Sequence, residues 1–256
     1  MKIKLSTALA LTLLTATTRA ETLQRCHHAG QENPPQLVEL YTSEGCSSCP
    51  PADAWLAQVG RHDNIIALAF HVDYWNALGW HDRFSDQRYS QRQRDIARHN
   101  HQRSIYTPEI VVNGREHRHW HADTATTLTS GSNRRALPTE PLQHWCLSVE
   151  QHERGGLRIS WTEAVANSEP VHTRLAITES KLETQVQAGE NRSRRLRHDY
   201  VVRWYFDQLE ATGSLSITLP PEVRPRNTRI VAWRERPASG ELISVLELDL
   251  AAFGKR

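Results

Sequence analysis

The feature that most constrains this chain is a pair of cysteines two residues apart, Cys46-Ser47-Ser48-Cys49, set between a short apolar run and two prolines. Residues 37–41 (Leu-Val-Glu-Leu-Tyr) have the length and apolar content of a buried strand. Ser43, Glu44 and Gly45 turn the chain, and Pro50-Pro51 suit a first helical turn, whose N–H groups lack partners in any case. The helix is expected to run through Ala54, Trp55, Leu56 and Val59 and to end at Gly60. A helix start gathers unpaired N–H groups and the positive end of the helix dipole, which together stabilise a thiolate. Cys46 is therefore the expected nucleophile, and Cys49 the resolving cysteine that breaks the mixed disulfide.

The chain holds four cysteines, Cys26, Cys46, Cys49 and Cys146. The close pair bonds locally, which leaves Cys26 and Cys146 to form a structural bridge. Closing so long a loop contributes on the order of 4–5 kcal/mol in the chain-entropy picture. Outside the cytoplasm, leaving those two cysteines reduced is the less expected outcome. The first twenty residues predict export: Lys2 and Lys4 precede an apolar stretch over 5–15, and Thr18-Arg19-Ala20 forms a small-residue cleavage site. The stretch is too short to span a bilayer, so the mature form, starting near Glu21, is expected to carry no membrane span and to be periplasmic or secreted. Met1 is the only methionine, which suits an oxidising compartment. A formal net charge of +2 gives no nucleic-acid footprint, and the basic runs over 88–103 and 192–197 read as solvated faces.

Further strand and helix signals follow. Residues 64–71 read as a second buried strand, 85–100 as a polar helix, 109–113 and 115–119 as a hairpin about Asn113-Gly114, and 123–129 as a short helix. The order β-α-β-α-β-β-α is the minimal thioredoxin-like arrangement, expected over 36–130 after an N-terminal arm at 21–35. Residues 131–144 are rich in turn formers and read as a linker. Beyond them, short strands at 157–162, 173–178, 200–206, 215–219, 229–234 and 242–250 predict an all-β, sandwich-like domain over 145–252.

In thioredoxin-like proteins a cis proline packs beside the CxxC, and the backbone before it pairs with an extended substrate. Thr107-Pro108, just ahead of the hairpin, is the matching element here. Glu39 resembles, in context, the buried acid of such proteins and is the candidate proton acceptor. Tyr74, Trp75 and Trp80 follow the second strand and are candidates for a substrate groove, with core packing as the other reading. A zinc site would need a second ligand pair, and no further CxxC exists. Copper(I) on Cys46, Cys49 and His71 is an open alternative, with His81, His117, His119 and His121 also in this part of the chain.

Taken together, residues 39–53, 69–84 and 106–114, and more loosely Gly189-Glu190-Asn191 and Val201-Val202-Arg203, resemble a secreted bacterial thioredoxin-like family catalogued as domain of unknown function 1223. An aspartate is usual in that family where Asn76 stands, and a glutamine where Glu109 stands. The resemblance implies fold and export more than substrate. The expected function is an exported thiol–disulfide oxidoreductase acting on protein or small thiols with a redox partner of its own, without a cofactor. The alternatives are a copper(I) chaperone, or a non-enzymatic partner-binding protein whose CxxC is a structural disulfide.

Overall fold

The computed structural model describes residues 21–27, 34–130, 137, 144–152, 156–163 and 170–254. The expected signal segment and most of the expected linker lie outside the described residues. The described residues open with strand β1 (Glu21–His27), where the sequence predicts only an arm. One aliphatic residue, Leu23, is too little to signal it locally. Strand β2 (Gln36–Thr42), helix α1 (Pro50–Val59), strand β3 (Ile65–His71), helix α2 (Gln87–His99), strands β4 (Glu109–Val112) and β5 (Arg115–Glu116), and helix α3 (Ala125–Thr129) follow in the expected order. Strand β5 is shorter than expected, because the chain turns into a single 3-10 turn at Trp120–Ala122.

The second half contributes β6 (Trp145–Gln151), β7 (Gly156–Glu163), β8 (His172–Glu179), β9 (Leu182–Gln185), β10 (Arg195–His198), β11 (Val201–Leu209), β12 (Gly213–Thr218), β13 (Thr228–Glu235) and β14 (Leu242–Asp249). These do not form a self-contained sandwich over 145–252, and the expected division is corrected on this point. Strands β8, β11, β13 and β14 join β2 to β5 in one eight-stranded sheet of order β14-β13-β8-β11-β3-β2-β4-β5. The junction is parallel: Val201 of β11 lies beside Ala69 of β3, and the Ala69 N–H donates to the Tyr200 carbonyl at 2.8 Å. Without β11, the apolar strand β3 would present an unpaired edge, which folded sheets avoid. A second sheet of order β1-β6-β7-β12 takes in the N-terminal strand, and β9 and β10 form a separate two-stranded hairpin.

Alternation along each strand divides the apolar side chains between two faces. On one face Leu37, Tyr41, Leu68 and Phe70 pack with Tyr89 and Ile96 of α2. On the other, Val38, Leu40, Ala67 and Ala69 meet Leu56 and Val59 of α1. Further along that second face Leu175, Ile177, Ile230 and Ala232 pack with Trp145, Leu147 and Trp161 of the smaller sheet. Cys26 and Cys146 stand directly opposite one another on β1 and β6, and their disulfide fixes that sheet's outer strand. No helix among the described residues is long and apolar enough to cross a membrane.

One buried ionic knot joins the two halves of the large sheet. Arg92 of α2 donates to both Glu39 oxygens, at 2.8 and 2.7 Å, and to Glu235 of β13 at 2.7 Å. Arg174 of β8 reaches the other Glu235 oxygen at 2.6 Å, and the Trp233 indole donates to Glu235 at 2.8 Å. Burial raises the Glu235 carboxyl, but the two guanidiniums outweigh it and bring its pKa from 4.5 to about 2. A carboxylate so depressed contributes stability in full above about pH 4.5, and the contribution is lost as pH falls toward 2. Glu235→Gln is expected to lower the free energy of unfolding by about 3–5 kcal/mol at neutral pH, since it leaves two buried cations undercompensated. Urea titrations at pH 7 and pH 3 check this: the gap between wild type and variant should narrow at the lower pH.

Candidate functional site

Strand β2 delivers Thr42 to a tight loop before α1. The Gly45 N–H donates to Ser43 Oγ at 3.1 Å, the Cys46 N–H to the Ser43 carbonyl at 3.1 Å, and the Cys49 N–H to the Cys46 carbonyl at 3.2 Å. Cys46 and Cys49 are joined as a disulfide. The helix begins at Pro50, so Cys49 is the capping residue and Cys46 lies in the turn before it. The sequence predicts Cys46 at the helix start; the double proline instead sets the first helical position after the second cysteine. Both cysteines are 0% exposed, whereas Ser47 and Ser48 between them are exposed.

The Thr107–Pro108 bond is cis, as expected from its position. Trp75 ties this element to the cysteine loop: its indole donates to Thr107 Oγ1 at 2.8 Å, and its Cβ would lie 3.3 Å from any Cβ added at Gly45. Tyr74 donates to Gln93 Oε1 at 3.2 Å, and the Gln93 amide donates to the Tyr106 carbonyl at 2.7 Å and to Glu109 at 2.6 Å. Tyr74 is thus a brace for the cis-proline loop. Burial pushes its phenol up to about 12. Burial also raises the Glu109 carboxyl.

Beneath the cysteine loop lies a cluster of ionisable side chains. His71, at the end of β3, contacts Asp82 through Nδ1 at 2.7 Å, and both are fully buried. Asp82 also accepts the N–H groups of Glu44 and Phe84, each at 2.9 Å. Glu44 receives the Trp80 indole at 2.8 Å and lies 3.3 Å from His198 of β10, and the two imidazoles stand 5.0 Å apart. Asp53, one helical turn beyond Cys49, belongs to the same cluster: His198 and His71 act on its charge, and the Thr42 side chain favours its ionised form. Burial raises the Asp53 pKa against those favourable charges. Burial presses the His71 imidazole down, but Asp82 outweighs it and holds His71 above its ordinary value. Asp82 is correspondingly lowered.

A segment far away in sequence closes over the loop. The hairpin β9–β10 carries Glu190 and Asn191 at its turn. The Asn191 amide donates to the carbonyls of Glu44 and Cys46, both at 2.9 Å, and Glu190 accepts the Ser47 N–H at 3.0 Å. Gly189 has φ +72, and an added Cβ would come within 3.1 Å of the Trp80 Cβ, so this turn presses against the tryptophan. The sequence marks this tripeptide only through the family resemblance and predicts no role for it.

Several expected site residues lie elsewhere. Glu39 is buried, but its side chain points to the α2 face with Arg92 and Tyr41, the opposite side of the sheet from α1. Residues 37, 39 and 41 share that face, which fixes Glu39 in the ionic knot rather than beside the cysteines. Trp75 adjoins the cysteine loop and Trp80 its acidic floor, so the aromatic candidates frame the site although Tyr74 supports it from behind. The alternative copper set of Cys46, Cys49 and His71 is not assembled. Among the described residues, only Cys26, His144 and Cys146 bring three ligand atoms of this kind within 4.8 Å of one another. His117 contacts Asp123 at 2.7 Å, and His119 and His121 are exposed on the 3-10 turn.

The sequence pattern of a family described as "Protein of unknown function (DUF1223)" matches residues 37–234. No curated protein matches the chain. Among solved structures, protein AGR_C_4864 from Agrobacterium tumefaciens is similar at 20% identity and a TM-score of 0.57, over 85% of this chain and 95% of that one. HBP35 of Porphyromonas gingivalis is similar at 13% identity and a TM-score of 0.53, over 86% of this chain and 76% of that one. At such identities the likeness concerns the fold.

The His71–Asp82 pair carries a pH signature. A raised histidine stabilises fully below about pH 6.5 and loses its contribution as pH rises through its folded value; a lowered aspartate stabilises above about pH 3.9 and loses its contribution as pH falls through its folded value. Asp82→Asn removes the main upward pull on His71 and leaves burial in place. His71 is then expected to release its proton about one pH unit lower or more, followed by NMR of the ring C–H signals.

Proposed function

We propose that this chain, which belongs to the DUF1223 family, is an exported thiol–disulfide oxidoreductase whose working pair is Cys46–Cys49 in a thioredoxin-like unit over 36–130. The observation that carries the reading is the Cys46–Cys49 disulfide at the mouth of α1, tied through Trp75 to the cis Thr107–Pro108 element. In the oxidising direction a substrate thiolate attacks Cys46 Sγ. The Cys46–Cys49 bond breaks, the substrate–Cys46 bond forms, and Cys49 leaves as a thiolate that takes up a proton. A second substrate thiolate attacks the substrate sulfur of that mixed disulfide. The substrate disulfide leaves, and two electrons and the pair's two protons remain on Cys46 and Cys49. The same steps reversed reduce a partner disulfide.

In this reading Asp53, rather than Glu39, transfers the proton. It stands a turn beyond Cys49, its carboxyl is raised by burial, and it is grouped with His71 and His198. Thr107 and Pro108 supply the backbone against which an extended partner lies. Both sulfurs are buried, and Asn191 and Glu190 bond the backbone of the loop that carries them, so in this reading exchange involves withdrawal of the 189–191 turn. The competing reading, a structural staple, draws on that same burial.

Equilibration in glutathione buffers with alkylation of Cys46 across pH separates the two. The oxidoreductase reading expects a Cys46 pKa below about 8.5 and a pair that opens within the glutathione range; an ordinary thiol in a pair that stays closed sinks it. Pro108→Ala is expected to slow turnover of a protein substrate. Glu190→Ala combined with Asn191→Ala is expected to speed reduction of Cys46–Cys49 by dithiothreitol while leaving Cys26–Cys146 unaffected, which mass spectrometry of trapped thiols reads directly.

A further inference from the structure

Two clefts adjoin along the outer face of α1. The first, about 380 Å³, begins at Pro50, the residue after Cys49, and is walled by Arg194, Arg195 and Arg197. The second, about 320 Å³, lies at the far end of the helix and is lined by Arg61, Lys181, Arg226 and Arg229. Ala57 and Asp199 line both, so the clefts form one groove. Ala54 and Ala57 leave its floor low and apolar. The acids that line it, Asp53, Asp199 and Asp249, are outnumbered by the cations.

The cations are only partly neutralised. Arg195 and Arg197 share the single carboxylate of Glu183, and Arg229 reaches Glu247 at 3.1 Å and Asp249 at 3.9 Å. Arg61, Lys181 and Arg226 make no side-chain ion pair among the described residues. For a chain of formal net charge +2, this gathers positive charge on one track that starts at Pro50, the residue after Cys49. Fields of this kind raise the encounter rate of oppositely charged partners.

We infer that the groove receives an extended acidic segment of the protein whose cysteine exchanges with Cys46–Cys49; this rests on the oxidoreductase reading above. Helix α1 has 10 residues, which at about 1.5 Å each makes a track of roughly 15 Å. An extended chain covers that in about four or five residues. The partner is therefore a peptide with Asp or Glu within four or five residues of its reactive cysteine. A small anion fills one cleft without spanning both, and a nucleic acid brings no thiol to the end where the groove begins.

The test uses the full oxidised chain and two synthetic peptides, one cysteine followed by four glutamates and one cysteine followed by four glutamines. The glutamate peptide is expected to open Cys46–Cys49 about tenfold faster at low salt, with the advantage fading at high salt. Arg61→Glu with Arg197→Glu and Arg226→Glu should abolish that advantage and leave reduction by dithiothreitol unchanged; the corresponding glutamine replacements should give an intermediate result. Equal rates for the two peptides, or an advantage that survives charge reversal, overturn the inference. So does stronger binding of a single-stranded oligonucleotide, or displacement of a cysteine-free tetraglutamate peptide by an equal concentration of inorganic phosphate. Failure of dithiothreitol to open the pair would instead sink the oxidoreductase reading, and fluorescence anisotropy of the labelled cysteine-free peptide then judges the groove on its own.

Discussion

Arg92 holds together parts of the chain that share no local sequence relation. It rises from α2, is 3% exposed, and reaches Glu39 in the first half and Glu235 in the second. Its guanidinium also stands 5.0 Å from the Trp233 ring, with Phe70 and Tyr205 nearby. A planar, always-charged fork suits this position, because it serves two carboxylates at once while its flat faces lie against rings. A lysine would supply one point charge and no such face. The sheet and α2 are therefore registered against each other by geometry as well as by apolar burial, and Arg174 extends the same registration to β8.

That registration sets the position of the cysteine loop. The loop hangs from the end of β2 and the start of α1, but its upper surface is made by the β9–β10 turn. Both contributions depend on β11 lying beside β3, since β10 leads into β11 through Tyr200, whose φ is +58. The site is thus composite. Its chemistry belongs to the first half of the chain, while its cover and the cationic wall of the adjoining groove belong to the second.

Much of the first half is legible in the sequence because its signals are local. The apolar run of β2, the prolines after Cys49, the Asn113-Gly114 turn and the placement of Thr107-Pro108 each act within a few residues. The Cys26–Cys146 pairing follows by elimination. Strand parity separates Glu39 from the cysteines: α1 covers the face of Val38 and Leu40, so Glu39 has the wrong parity and Thr42 the right one. The fusion of the sheets was not legible, because one parallel pairing between Ala69 and Val201 leaves no periodic trace. Nor was the cover, which joins Asn191 to Cys46 across 145 residues. The His71–Asp82–Glu44–His198 cluster draws on β3, two loops and β10, and only its first members lie close enough in sequence to suggest a group.

The long bridge has a consequence for how the chain is made. Synthesis presents Cys26 first, then Cys46 and Cys49, and the native partner of Cys26 appears only 120 residues after it. Throughout that interval β1 has no β6 to pair with, and β3 has no β11. An oxidant that acts as the chain emerges meets three thiols whose nearest combinations include two wrong ones. The short spacing of Cys46 and Cys49 gives their mutual closure the smallest entropic cost, and once closed they no longer compete for Cys26. Closure of the short Cys46–Cys49 loop thereby leaves Cys26 free for its distant mate, Cys146.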